Sequence, residues 1–137
     1  MTDQQYKADA GKAQPDLLEM GFARALRLVQ ATLEYGALKY EAHSWRGVPD
    51  GMKRYNRAGR RHRQERDLES RPEKNFYAVL EACDEESGLP HIAHEIFNLL
   101  CMIELDFQDH PDPASLMELL LANRKQPPTG HKNPPQP

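Results

Sequence analysis

Apolar residues return every three or four positions along most of this chain, the period of an amphipathic helix. Leu18, Phe22, Ala25, Val29 and Leu33 set that rhythm first, behind Pro15, which a first helical turn tolerates. The pattern predicts one helix over residues 15–41. Gly36 lies inside it and weakens it unless a close neighbour needs the room. "HSWRGVPDG" (43–51) interrupts the rhythm with Gly47, Pro49 and Gly51 and reads as a loop. A second helix, rich in arginine, is predicted over 52–68 and bounded by Pro72. A short apolar piece, "NFYAVLEAC" (75–83), leads to the acidic turn "DEESG".

The third long helix is predicted from Pro90 to Phe107. Ile92, Ile96, Leu99 and Ile103 form one stripe on it, and Cys101, Met102 and Leu105 cover another side. A helix apolar on so many sides belongs at the centre of a bundle or at an oligomer interface. "HPDP" ends it, and "ASLMELLLANRK" (114–125) makes a last amphipathic helix. No strand and no internal repeat is read. The expected fold is therefore all-α, a bundle of about four helices occupying residues 15–125. Residues 1–14 read as a flexible start, and the tail 126–137, with five prolines in twelve residues, as disordered.

Composition narrows the class. A chain of 137 residues, 39% hydrophobic and 28% charged, suits one soluble domain with a core of its own. No apolar run approaches the roughly 20 residues of a membrane span, and the polar N-terminus shows no signal peptide. Two cysteines, Cys83 and Cys101, make no disulfide framework, so a reducing cytoplasmic setting is expected. The net charge of −3 hides an uneven distribution: residues 46–74 hold ten of the eighteen Lys and Arg. Such a segment suits phosphates, whether of a nucleic acid or of a small ligand, and it also suits a solvated helix face.

The chemistry concentrates at the start of the third helix. His91, His94, Glu95 and Asn98 are spaced i, i+3, i+4, i+7 and share one face. Glu86, just ahead of the helix, can reach the same place. The basic helix offers His62 and Glu65, also on one face, with Arg54, Ala58 and Arg61 beside them. A single such histidine is usually a hydrogen-bonded core residue or a cap. Two facing helices that each give polar ligands to a bundle interior are a recurrent way to build a metal site. Lys39, Arg54, Arg60 and Arg61 then suit a polyphosphate. No Gly-rich phosphate loop, CxxC pair or nucleophile elbow is present, and a thiol enzyme using Cys83 or Cys101 is a weaker alternative.

These blocks have a familiar look. "YGALKYEAHSW" (35–45), the Arg61-His62 pair and "DEESGLPHIAHEIFNLL" (84–100) resemble the signature of the phage and bacterial dATP/dGTP diphosphohydrolase family. That family is associated with the all-α, MazG-like nucleotide pyrophosphohydrolases. The resemblance implies metal-dependent hydrolysis of a purine deoxynucleoside triphosphate, dGTP or dATP, to dNMP and pyrophosphate. For some members it implies a supply of dGMP to phages that build 2-aminoadenine DNA. It also implies a homodimer or homotetramer, with no membrane partner.

Tyr40, Trp45, His62, Glu86, Ser87, Gly88, His91, His94 and Asn98 fall on family positions. Glu65 and Glu95 rest on spacing alone. The acidic metal-binding pairs of MazG-like enzymes are replaced here by His62-x-x-Glu65 and Glu95-x-x-Asn98, overlapped by His91-x-x-His94. Histidine ligands move preference from Mg2+ toward Mn2+ or Co2+. The sequence thus assigns His62, Glu86, His91, His94 and Asn98 to the metal, and Glu65 or Glu95 to the metal or the attacking water. Lys39, Arg54 and Arg61 are assigned to phosphate, and Trp45 to stacking on the purine. Glu34 and Glu41 are read as facing solvent. The rival reading is a small nucleic-acid-binding or regulatory module built on the basic helix, and it leaves the "ESGLPHIAHE" cluster without a task.

Overall fold

The structure, a computed structural model, describes residues 11–128 apart from 72, 74 and 75. The expected flexible start and disordered tail fall largely outside the described residues. Within them the fold is all-α. A short helix α1 (Pro15–Glu19) precedes α2 (Ala23–Lys39), a 3₁₀ turn (Ser44–Gly47), α3 (Gly51–Glu69), α4 (His91–Asp109) and α5 (Pro113–Ala122).

The helix predicted over 15–41 is two helices. Residues 20–22 form a turn between them. Gly21 is a poor helix residue, and Met20 and Phe22 are 79% and 59% exposed, so no packing compensates for it. α2 stops at Lys39, where Tyr40 leaves the helical region. Gly36 reads as a cost to the helix unless a close neighbour needs the room. A Cβ placed there would meet nothing within 4 Å, because the space belongs to a cavity.

α3 and α4 make the main packing contact, α2 lies against α4, and α5 touches α4 lightly. Two small residues set the α3–α4 crossing. A Cβ at Gly59 would lie 3.3 Å from Asn98 Cβ, and one at Gly51 3.0 Å from Leu105 Cδ1. The basic helix therefore approaches α4 through its glycines. Tyr55 and Phe97 close the crossing with an edge-to-face contact at 6.1 Å.

The core is small. Its buried apolar residues are Val29, Ala78, Ala82, Ala93, Cys101 and Leu105, joined by Thr32, His91 and Asn98. Burial pushes the Cys101 thiol up to about 12, so it stays neutral. The apolar sides of α4, expected at a bundle centre or an oligomer interface, are only partly buried within the chain: Leu99 and Ile103 are 51% and 55% exposed. The face turned toward α3 instead carries His91, Asn98, Cys101 and Leu105.

Among the described residues of the segment between α3 and α4 there is no α-helix. Isolated bridges pair Arg71 with Phe76 and Cys83 with Pro90. Asp84 N–H donates to Leu89 O and His91 N–H to Ala82 O, each at 2.8 Å, closing the acidic turn just before α4. Gly88 turns the corner with φ +74°, a conformation that costs glycine little. α5 begins where Asp112 accepts a hydrogen bond from Ser115 N at 3.2 Å and Pro113 occupies the first turn.

Candidate metal centre

The α3–α4 crossing brings His62, Glu65 and His91 together, with one potential ligand atom from each lying within 4.8 Å of the others. His91 lies between its partners. Its Nδ1 is 2.9 Å from His62 Nδ1, and its Nε2 is 3.2 Å from Glu65 Oε2. His91 is 3% exposed, while the Glu65 side chain is 56% exposed, so the cluster opens to solvent on the Glu65 side. His94 stacks on His62 at 4.6 Å, nearly parallel, and its Nε2 is 2.7 Å from Ser87 Oγ.

Burial shifts two of these rings, His62 and His94, toward the neutral form. Burial, then the neighbouring imidazoles His94 and His91, hold His62 below its usual pKa. Burial likewise lowers His94, against the opposing pull of Asp84. A neutral imidazole is the form that binds a cation. Burial alone would raise the Asp84 carboxyl, but hydrogen bonds from Ser87 and the charges of His94 and His62 outweigh it and hold it low. A net negative charge thus sits at the turn facing the histidines. Two imidazoles and a carboxylate, one side open, fit a divalent first-row metal.

The other residues singled out in the sequence have varied placements. Glu95 is not in the three-residue cluster. It accepts from Arg66 Nη1 at 2.6 Å, an ion pair whose side chains are only 17% and 15% exposed. Asn98 is buried, and its Nδ2 donates to His94 O at 2.7 Å, bracing the helix that carries the histidines. Glu86 is paired with Lys39 Nζ, which with Tyr35 holds its carboxyl low and in return raises the lysine. Two predicted residues therefore neutralise each other at the edge of the site.

Arg54, Arg61 and Asn98 line an open groove of about 470 Å³ with Lys53 and Arg57. Trp45 lines a different cavity, of about 660 Å³, with Tyr40, Tyr55 and Phe97. Tyr55 borders both, and its hydroxyl donates to Trp45 O at 2.9 Å. Burial pushes the Tyr55 phenol up to about 12, so it stays a donor. Glu34 and Glu41, read as facing solvent, are exposed and also line the Trp45 cavity.

Sequence reasoning missed Arg66, Tyr55, Gly59 and Asp84 as parts of this region. Arg66 follows His62 by one helical turn, which was the available signal. Gly59 in a helix interior was another, since a glycine there costs stability unless two backbones meet.

In this all-α scaffold the crossing of two helices offers a His/Glu cluster able to hold a metal ion. The chain belongs to the dATP/dGTP diphosphohydrolase family, matching that family's N-terminal domain over residues 2–112. The resemblance carried by the three sequence blocks is borne out by this match. No curated protein and no solved structure matches the chain. No helix among the described residues is long and apolar enough to cross a membrane.

Proposed function

We propose that the protein is a metal-dependent pyrophosphohydrolase of purine deoxynucleoside triphosphates, yielding dNMP and pyrophosphate. The observation that carries this reading is the His62–Glu65–His91 cluster at the α3–α4 crossing, in a chain of this family. These three residues hold the cation in this scheme. Two imidazole donors favour Mn2+ or Co2+ over Mg2+. When bound, such a cation polarises phosphate oxygens and makes water a better nucleophile near neutral pH.

The chain's own residues supply the rest. Arg54 and Arg61 hold the phosphate chain in the groove on α3. His94, stacked on His62 and anchored by Ser87, fixes the orientation of the ligand ring. Glu65, the exposed member of the cluster, can accept the proton of the attacking water. Water adds across the α–β bridge, one phosphorus gaining the hydroxyl while the bridging P–O bond breaks and pyrophosphate leaves. Glu95 and Asn98 act as supports for the crossing, and Glu86 with Lys39 as a charge pair at its rim. The base lies in the Trp45 cavity. A homodimer or homotetramer covers the apolar face of α4, and the setting is the cytoplasm, with dGMP supply in a phage-infected host as one use.

The test is product analysis of the purified chain with each dNTP and Mn2+, Co2+, Mg2+ or EDTA. Release of dNMP and pyrophosphate, abolished by EDTA, is expected. His91→Ala is expected to lower the rate by about 100-fold or more while the helical circular dichroism persists. Orthophosphate release would move the cut to another bond. Absence of turnover with every metal, beside salt-sensitive DNA binding indifferent to EDTA, would replace this reading with the nucleic-acid module.

A further inference from the structure

We propose that the aromatic cavity between α2 and the 40–49 loop is a guanine subsite and that Glu41 is its specificity-determining residue. This inference rests on the nucleotide reading above and deepens it, since neither the cluster nor the family distinguishes the two purines.

The cavity has the size and character of a small-ligand site, about 660 Å³, against the roughly 300–1,000 Å³ usual for such pockets. Tyr40, Trp45, Tyr55 and Phe97 give it flat apolar walls on which a base can stack. The missing side chain at Gly36 widens it on the α2 side. On the loop wall His43 sits in the left-handed region, at φ 63°. Such conformations in non-glycine residues concentrate at functional sites.

The polar groups on the lining choose the base. Guanine presents two adjacent N–H donors, N1–H and the exocyclic amino group, which match the two oxygens of a carboxylate. Adenine presents a lone pair at N1, which a carboxylate repels. Two carboxylates line the cavity, Glu34 and Glu41. Glu34 is already engaged by Arg27 at 2.8 Å. Among the described residues the Glu41 carboxylate has no ion pair or side-chain hydrogen bond, and only its backbone oxygen is used, by Ser44 N–H at 3.2 Å. It is the acceptor left for an incoming donor pair.

The position also suits a nucleotide. Tyr55 walls both this cavity and the arginine groove, so the two are neighbours. Tyr55 and His62 are seven positions apart on α3, roughly 10 Å at the helical rise, a span that a deoxyribose and its phosphates bridge. The base, the phosphate groove and the His/Glu cluster then follow one another along a single helix.

Trp45 is the one tryptophan of the chain, so its fluorescence reports directly on this cavity, with no metal and no turnover needed. The full chain would be titrated with dGMP, dIMP and dAMP. Quenching by dGMP with a Kd about tenfold below that of dAMP is expected, with dIMP, which lacks the amino group, between them. Glu41→Gln should bring dGMP to the dAMP value, and Glu34→Gln should leave the preference in place. Equal affinities, tighter dAMP, no quenching by any nucleotide, or a guanine preference that survives Glu41→Gln would overturn the proposal. Failure here beside metal-dependent dNTP hydrolysis removes the subsite and leaves the enzyme. Guanine-selective quenching without hydrolysis does the reverse.

Discussion

The two faces of α4 make opposite use of their residues. Toward α3 it presents His91, Asn98 and Cys101, tightly packed and with every buried side-chain polar atom of the described residues hydrogen-bonded. Away from α3 it presents Leu99, Leu100 and Ile103, each more than two-fifths exposed. α5 adds Leu119, Leu120 and Leu121, between 47% and 59% exposed. Helices of small proteins usually bury the greasy face and hydrate the polar one. Here the polar face is the buried one, and the apolar face is left exposed.

The Arg66–Glu95 pair tests the inner face most severely. Arg66→Ala leaves a half-buried carboxylate without its partner and is expected to cost about 1.5–3 kcal/mol by urea unfolding. A loss under 0.5 kcal/mol would mean the pair is solvated in practice. Gly59→Val comes next. It drives a branched side chain against Asn98 and is expected to cost about 1–3 kcal/mol and to weaken Mn2+ binding, read by calorimetry. Retained metal affinity after that substitution would separate the crossing from the cluster.

Acid should act on the same face. His62 and His94 have folded pKa values below their ordinary 6.5, so the unfolded chain takes up protons first. Their contribution is fully present well above pH 6.5 and is lost as pH falls toward the folded values. The melting temperature is expected to be lower at pH 5.5 than at pH 7.5, and a flat or opposite trend would contradict the burial of these rings. The outer face should respond least in a lone chain: Leu99→Ser with Ile103→Ser is expected to change stability by only about 0.5 kcal/mol. In the proposed oligomer the same pair should shift the sedimentation coefficient toward the monomer, and an unchanged coefficient would remove this face as the interface.

Much of the inner face was legible beforehand. Proline and glycine punctuation placed α3 and α4 within a residue or two, and spacing put His62, Glu65 and His91 on facing surfaces. What spacing could not give was pairing. Glu95 reads like a ligand until Arg66 claims it, and Glu86 reads like one until Lys39 does. The turn at 20–22 escaped because the apolar rhythm runs straight through it, and only the lack of packing partners reveals the break. The stripe's placement, bundle centre or oligomer interface, stayed open because periodicity marks a face without saying which way it turns.

The Tyr55 hydroxyl, bound to the backbone of Trp45, joins a rigid helix to a wall made of loop. Residues 40–45 and 47–49 line the Trp45 cavity and none of them belongs to the His62–Glu65–His91 cluster, so substitutions there leave the cluster histidines themselves in place. On the reading developed above, descendants of this fold would diverge in the base they select sooner than in the bond they cut.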